Sequence, residues 1–289
     1  MHQGLSKGRW RPAWRLGRAV AIGYGLVILF LMWFEESLIF FPSVYPVGDW
    51  KPPGIAVEDA HFQAADGTRL HGWYVEHEKP RAVVLFAHGN AGNITHRIDQ
   101  LLKLRAMGLS VLVFDYRGYG RSEGRPTEAG IVADARAARR WLAQRAAVAE
   151  SDIVLLGESV GAAVMVELAA ADGARGLVLE STFTSLPEMG AYHYPWVPTR
   201  WVMRSRLNSL KRIGRYHGPL LQCHGDADRI IPFEQGRRLF EAANEPKRFV
   251  RLPDHDHNDR LPPEYYQALD EFISSLEGEK GRRMKAQDR

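Results

Sequence analysis

The chain is poor in cysteine, in low-complexity sequence and in excess charge, and each shortage excludes a class of protein. It has 289 residues and a single cysteine, Cys223, so a fold stapled by intrachain disulfides is excluded. With 45% hydrophobic and 25% charged residues it is neither disordered nor collagenous. No internal repeat and no low-complexity linker divides it. The length therefore suits one large domain or two small ones.

Acidic residues are absent from the first 34 positions, which concentrates positive charge at the N-terminus. Residues 1–18 carry five Lys or Arg, and residues 279–289 carry five basic and two acidic residues. The remainder is net acidic, with 28 basic against 32 acidic residues, so the net charge of +4 belongs to the two ends. A nucleic-acid-binding protein needs a basic patch on its folded body. The charge distribution gives no support to a nucleic-acid partner.

An uncharged apolar stretch, residues 19–34, follows the basic arm 1–18. As a helix it would be about 24 Å long, against a hydrocarbon core of about 30 Å. We predict an uncleaved transmembrane signal anchor, with the N-terminus in the cytoplasm and the rest of the chain outside it. A cleaved signal peptide is the first alternative, although Glu35-Glu36-Ser37-Leu38-Ile39 offers no small-x-small cleavage site. A buried helix of a soluble protein is the second.

The body of the chain, residues 35–277, alternates short apolar runs with longer helical patterns. Eight runs are predicted as strands: Val57–Phe62, Leu70–Val75, Ala82–Ala87, Ser110–Phe114, Ile153–Leu156, Gly176–Leu179, Leu220–Cys223 and Phe249–Leu252. Five segments are predicted as helices: Ile98–Met107, Glu128–Ala147, Val160–Ala171, Glu234–Ala243 and Glu264–Leu276. This alternation predicts a mostly parallel sheet covered on both faces, and the turn Asp66-Gly67 predicts an antiparallel hairpin between the first two strands. Residues 278–289 are predicted to form a basic C-terminal tail.

Residues 183–217 interrupt the alternation. They contain three prolines and several aromatic and basic residues, without a strand pattern. A long insertion inside a compact domain usually has a function. We interpret it either as a lid over the carboxyl ends of the strands or as a plain structural connection with short helices.

The pentapeptide Gly157-Glu158-Ser159-Val160-Gly161 lies between a predicted strand and a predicted helix. A serine nucleophile needs such a sharp turn, which exposes its hydroxyl above the sheet, and the flanking glycines avoid clashes in the bend. The following helix adds a favourable dipole for developing negative charge. Ser159 is therefore the predicted nucleophile.

A serine nucleophile requires a general base, and the base requires an acidic residue that orients it. Two histidines, His255 and His257, lie in a polar loop between the last strand and the last helix. Their dense spacing among aspartates could suggest a metal site, but no cysteine lies nearby, and we predict neither a metal nor a cofactor. Asp226 and Asp228 follow the strand Leu220–Cys223, and Glu180 ends the strand before it.

An oxyanion hole needs two backbone N–H groups. One should come from Val160, directly after the nucleophile, and the other from the loop that follows the strand Ala82–Ala87. That loop is rich in small residues, and we predict Asn90 as its donor.

Separated motifs in this order resemble the α/β-hydrolase superfamily, and within it the Bem-like group of single-span membrane-anchored serine hydrolases. The motifs are Phe86-Ala87-His88-Gly89-Asn90-Ala91-Gly92-Asn93, Asp115-Tyr116-Arg117-Gly118-Tyr119-Gly120-Arg121-Ser122, Gly157-Glu158-Ser159, Leu179-Glu180-Ser181-Thr182-Phe183, His224-Gly225-Asp226-Ala227-Asp228 with Ile231-Pro232, and His257-Asn258-Asp259. The resemblance covers roughly residues 35–276. It implies Asp228 as the acid and His257 as the base. Val160 departs from the leucine or methionine usual at that position, but a backbone donor tolerates this change.

The resemblance implies an α/β-hydrolase fold: a mostly parallel eight-stranded sheet with helices on both faces and a short lid, preceded by a transmembrane helix. The expected activity is cleavage of carboxylic esters or thioesters, including lipid-like ones, by Ser159, His257 and Asp228 through an acyl-enzyme. The expected partners are a small-molecule or lipid-like ester and, through the N-terminal helix, a membrane. A peptidase or amidase that uses the same residues, and a non-catalytic membrane-anchored scaffold, are the alternatives.

Overall fold

A twisted sheet forms the centre of the computed structural model, which describes residues 11–287 and, within them, the side chains of residues 13–278. Its strands are β2 (Glu58–Gln63), β3 (Arg69–Val75), β4 (Ala82–Ala87), β6 (Leu109–Asp115), β7 (Ile153–Glu158), β8 (Gly176–Glu180), β9 (Leu220–Gly225) and β10 (Lys247–Leu252), while β1 (Phe41–Pro42) and β5 (Ala91–Gly92) pair separately. The strand order is β10-β9-β8-β7-β4-β6-β3-β2. Only β3 breaks the parallel direction among these eight, pairing antiparallel with β6 and β2. The predicted mostly parallel eight-stranded sheet is thus confirmed.

Helices cover both faces of the sheet, as predicted. They are α3 (Ile98–Ala106), α4 (Glu128–Arg145), α5 (Val160–Asp172), α9 (Phe233–Glu241) and α10 (Pro263–Gln287). Alternate residues of β4 enter different cores because successive strand side chains point to opposite faces. Val83 and Leu85 join the cluster that contains α4 and α5, whereas Val84 and Phe86 join the cluster that contains α3 and α10. Burial on both faces explains why these strands are continuously apolar.

The N-terminal helix α1 (Arg11–Trp33) starts earlier than the predicted span. Its segment Ala13–Trp33, 21 residues with a mean hydropathy of 1.8, is long and apolar enough to cross a membrane. Part of the predicted basic arm is helical because arginine is a good helix former and Pro12 lies in the first turn, where it is tolerated. The other part of that arm, residues 1–10, lies outside the described residues.

A second difference concerns the C-terminus. The last helix was expected to end at Leu276, but α10 continues to Gln287 through most of the predicted basic tail 278–289. Glu, Lys, Arg, Met and Ala dominate this stretch, and all are strong helix formers. Residues 288 and 289 lie outside the described part of the chain.

Short elements join α1 and the insertion 183–217 to the carboxyl edge of the sheet. The insertion folds into α6 (Leu186–His193), α7 (Thr199–Val202) and α8 (Ser209–Arg212). Behind α1, helix α2 (Glu35–Ile39) leads into β1, which pairs in parallel with β5 in the loop after β4. The loops after β4, β7, β9 and β10 meet at this edge.

Candidate active site

Ser159 occupies a tight turn between β7 and α5. Its backbone has φ 54° and ψ −116°, a strained conformation for a residue with a side chain. A Cβ on Gly157 would lie 2.5 Å from the Gly161 carbonyl oxygen, and one on Gly161 would lie 2.1 Å from the Ala87 carbonyl oxygen. Both glycines are therefore required by crowding. The turn holds a largely buried serine, 5% exposed, at the carboxyl end of the sheet.

Three of the residues singled out in the sequence form a continuous hydrogen-bonded chain. Nε2 of His257 lies 3.2 Å from Oγ of Ser159, and Nδ1 of His257 lies 2.7 Å from Oδ2 of Asp228. Oδ1 of Asp228 accepts the backbone N–H groups of Ile230, at 2.9 Å, and Ile231, at 2.7 Å. Both carboxylate oxygens are thus fixed in position. A hydroxyl, an imidazole and a carboxylate in this order can activate the hydroxyl as a nucleophile.

The competing candidates have other partners. Nδ1 of His255 bonds to the Pro253 carbonyl at 2.8 Å, so this ring is not part of the hydrogen-bonded set Ser159, His257 and Asp228. Asp226 accepts the backbone N–H of Asp254 at 2.7 Å and pairs with Arg251.

Glu180, the third acid, is fully buried below the site. Its carboxylate accepts hydrogen bonds from Tyr265 and from Gln100. Burial raises the pKa of Glu180 to about 7, against the opposing effect of the Tyr265 hydrogen bond. The side-chain partners of Glu180 are therefore Tyr265 and Gln100, and not His257.

Asp228 has the opposite electrostatic character. Burial alone would raise its pKa, but hydrogen bonds with His224 and His257 outweigh burial and hold this pKa well below its usual range. The contribution of His224 was not anticipated from the sequence. Its Nε2 bonds to the Ile231 carbonyl at 2.9 Å and lies 3.4 Å from Oδ2 of Asp228. Asp228 therefore remains ionised throughout the pH range in which a histidine titrates.

A clamp between two loops was also missed. The Asp256 carboxylate accepts the Arg229 backbone N–H at 2.9 Å and its Nε–H at 2.7 Å. The same carboxylate accepts the backbone N–H of His257 at 2.8 Å. The loop that carries Asp228 is thereby joined to the loop that carries His257. Sequence spacing gave no signal for this pairing, because the two loops are separated along the chain by α9 and β10.

Asn90 lies beside Ser159 in the loop after β4, and this loop is fixed from two sides. Its carbonyl accepts the Phe41 N–H at 2.9 Å and the Tyr119 hydroxyl at 2.7 Å, and its side-chain amide donates to the Ile39 carbonyl at 2.8 Å. Val160 is the first residue of α5, where a backbone N–H has no acceptor within its own helix.

A cavity of about 480 Å³ opens in front of Ser159. Val160 and Asn90 line it beside the serine, the insertion contributes Met189 and Met203 among others, and the end of α1 contributes Leu31 and Met32. The volume is within the usual range of ligand sites, about 300–1,000 Å³. Among the described residues, no group of three or more His, Cys, Asp or Glu side chains is arranged to hold a metal ion.

Comparison with known proteins identifies the family. A family described as serine aminopeptidase, S33, matches residues 78–212. The uncharacterized protein Rv2307c of Mycobacterium tuberculosis is 43% identical over 257 residues, which cover 88% of this chain and 90% of the relative. The α/β-hydrolase domain-containing protein WAV2 of Arabidopsis thaliana is 31% identical over 272 residues, covering 83% and 88%. Protein bem46 of Schizosaccharomyces pombe is 29% identical over 267 residues, covering 85% and 87%. The chain belongs to the Bem46-like group of the α/β-hydrolase superfamily.

A solved structure supports the fold of this α/β hydrolase. An esterase from Pyrococcus furiosus superposes with a TM-score of 0.68 at 23% identity, covering 82% of this chain and 98% of the esterase. At this level of identity the similarity concerns the fold. Membership of the superfamily supports a hydrolase and confirms the fold class expected from its motifs.

Proposed function

We propose that this α/β hydrolase is a membrane-anchored serine hydrolase that cleaves carboxylic ester or thioester bonds. The observation that carries the proposal is the hydrogen-bonded chain from Ser159 through His257 to Asp228. The strained turn at Ser159 and the cavity in front of it add support, because they leave the hydroxyl facing a space that a substrate can fill.

The reaction follows from the order of the three groups. Oγ of Ser159 attacks the substrate carbonyl carbon while Nε2 of His257 takes the hydroxyl proton. Asp228 holds the imidazole tautomer and stabilises the imidazolium. His257 then protonates the departing alcohol or thiol, which leaves Ser159 acylated. Water attacks the acyl-enzyme with His257 again as base, and a carboxylic acid is released.

The negative oxygen of each tetrahedral intermediate requires donors that are already in place. We assign this role to the backbone N–H groups of Val160 and Asn90, two residues that line the cavity together with Ser159. The first is free at the start of a helix whose dipole also favours negative charge. The second belongs to a loop held by Phe41 and Tyr119, so little reorganisation is needed during the reaction.

A fluorophosphonate probe tests the nucleophile in the full-length protein. It should label the wild type at Ser159 and leave Ser159→Ala unlabelled. Ser181→Ala is a suitable control, since this serine also lies after a strand with positive φ (45°) and should not alter labelling. Absence of labelling in folded wild-type protein would refute a serine nucleophile and favour the non-catalytic scaffold.

A peptidase activity is the second candidate, because the matching family is described as serine aminopeptidase. An aminopeptidase needs a free anionic group to bind the substrate ammonium. Glu35 lines the cavity, but its carboxylate already accepts the backbone N–H groups of Arg204 and Ser205. This engagement favours esters. A matched panel of alanyl anilides and acyl esters separates the two activities.

The proposed anchor is α1, retained in the mature protein, with the hydrolase domain on the extracytoplasmic side. Retention is supported by the hydrogen bond from Tyr24 to Trp196, which a cleaved signal peptide could not make. Cys223 is buried, so an engineered Lys79→Cys at an exposed site should be the position labelled by a membrane-impermeant maleimide in intact cells. Labelling only after lysis would place the domain in the cytoplasm.

A further inference from the structure

We infer that α1 and the insertion 183–217 together form an acyl-binding site, and that the substrate is a membrane amphiphile whose chain enters from the bilayer between them. The inference rests on the proposed ester hydrolysis at Ser159. It assigns to the anchor a part in substrate binding beyond attachment.

The walls of the cavity give the first argument. Leu31 and Met32 of α1 line one side, while Met189, Val197 and Met203 of the insertion line another. The lining is mostly apolar, so it suits a hydrocarbon chain better than a polar group. Leu31 and Met32 are half-buried, although they lie in the segment that is long enough to span a membrane. The membrane segment therefore turns one apolar stripe toward the active site and leaves the others to lipid.

Two sets of hydrogen bonds hold that stripe against the insertion. Tyr24 donates its hydroxyl proton to the Trp196 carbonyl at 2.8 Å. Eleven residues further along the chain, the buried Glu35 accepts the N–H groups of Arg204 at 2.9 Å and Ser205 at 2.6 Å. Tyr24 lies within α1, and Glu35 is the first residue of α2, two positions after α1 ends. The anchor is therefore latched to the insertion at two levels.

The hydrogen bond between Tyr24 and Trp196 indicates where the insertion lies along α1. Tyr24 precedes Trp33, the last residue of α1, by nine residues, which is about 14 Å along a helix. Trp196 therefore lies beside the apolar segment of α1, away from its end at Trp33. Four aromatic residues of the insertion are exposed: Tyr192, Tyr194, Trp196 and Trp201, the last by 86%. Such rings are suited to an interface, so this edge of the cavity faces lipid.

Access from lipid defines the ligand class. An acyl chain that already lies in the bilayer can pass between α1 and the insertion while its ester group reaches Ser159. A water-soluble short-chain ester fills only part of the cavity. Each further methylene that the cavity buries should raise kcat/KM about fourfold.

Matched tryptophan variants of the full-length protein in lipid nanodiscs test the site. Leu31→Trp fills the cavity from the anchor, whereas Leu29→Trp adds the same volume on an exposed face (62%). The readout is the ratio of kcat/KM for 4-nitrophenyl decanoate to that for the butanoate. We expect Leu31→Trp to lower this ratio at least tenfold and Leu29→Trp to leave it within twofold of wild type.

The latch is tested by a second pair. Glu35→Gln directs an amide NH₂ toward backbone N–H groups and should lower the same ratio, whereas Glu36→Gln, at the exposed neighbouring position, should not. If Leu31→Trp and Glu35→Gln both keep the wild-type ratio while the fluorophosphonate still labels Ser159, the acyl site is refuted and the serine hydrolase stands.

A binding measurement keeps the two proposals separable if no ester is hydrolysed. The Ser159→Ala variant is irradiated with a long-chain fatty acid that carries a terminal diazirine, and cross-linked peptides are mapped by mass spectrometry. Cross-links to Leu31 or Met32 together with Met189 or Met203 support the site. Cross-links confined to the lipid-facing residues of α1, such as Leu29, overturn it.

Discussion

Replacement of Asp228 by Asn gives the sharpest test of the proposed chemistry, because hydrogen bonds fix the orientation of the new amide. Oδ1 of Asp228 accepts two backbone N–H groups, at 2.9 and 2.7 Å. The oxygen of the new amide must take that position, since an NH₂ there would face two donors. The NH₂ group then faces Nδ1 of His257, where Oδ2 now lies at 2.7 Å.

The consequence is a change of histidine tautomer. With a donor in front of Nδ1, the imidazole proton must move to Nε2, the atom that lies 3.2 Å from Oγ of Ser159. A protonated Nε2 cannot accept the serine proton. The same substitution in serine proteases lowers kcat about 10⁴-fold, equivalent to about 5 kcal/mol of transition-state stabilisation. We expect a loss of about 10³- to 10⁴-fold here.

The assay is kcat for 4-nitrophenyl butanoate with full-length protein in detergent, with circular dichroism as the control for folding. Asp226→Asn is the matched control: its amide oxygen still accepts the Asp254 N–H, and it loses only the ion pair with Arg251. Its activity should stay within about threefold of wild type. If Asp228→Asn retains more than a tenth of the activity, or if Asp226→Asn loses as much, Asp228 is not the orienting acid.

Two further predictions concern stability. Because the pKa of Glu180 rises from 4.5 in the unfolded chain to about 7 in the fold, the folded state retains a proton that the unfolded state has lost, and stability falls as pH rises through this window. Glu180→Gln should remove this pH dependence. In denaturant titrations the free energy of unfolding of wild type should therefore fall by about 3 kcal/mol relative to that of the variant between pH 4.5 and pH 8. Equal pH dependence in the two proteins would contradict the buried carboxyl. Gly161→Ala places a Cβ 2.1 Å from the Ala87 carbonyl oxygen, so it should lower the free energy of unfolding by about 3 kcal/mol or prevent folding. Gly173→Ala is the control: this position has open space around it but a positive φ, and the substitution should lower the free energy of unfolding by about 1 kcal/mol.

Much of the fold could be predicted because its signals are local. The strands at the centre of the sheet are continuously apolar, and the hairpin has its Asp-Gly turn, in which Gly67 adopts φ 85°. The turn at Ser159 is marked by glycines that the backbone itself requires. The helix ends were less predictable: α1 and α10 both extend beyond the apolar pattern, since charged residues with high helix propensity continue a helix without contributing to its buried face.

The parts of the site that could not be predicted depend on contacts between distant segments. Arg229 meets Asp256, and Glu35 meets Ser205, 170 residues further along the chain. No local pattern marks either carboxylate as buried or clamped. His255 and His257 share a loop that turns at Asp254, with φ 58°, and their spacing alone does not show that the ring of His257 faces Ser159.

The connection behind α1, the proposed anchor, indicates that the position of this helix and the geometry of the candidate site are coupled. The chain passes from α1 through the latched Glu35 directly to Ile39 and Phe41, which hydrogen-bond to the Asn90 side chain and carbonyl. The loop proposed to supply an oxyanion donor is thus held by residues that begin only six positions after α1 ends. A soluble fragment that starts beyond Pro42 would lack these bonds as well as one wall of the cavity. Its activity would describe an enzyme with a looser oxyanion loop and a more open site, so the intact chain in a bilayer is the form in which substrate preference has meaning.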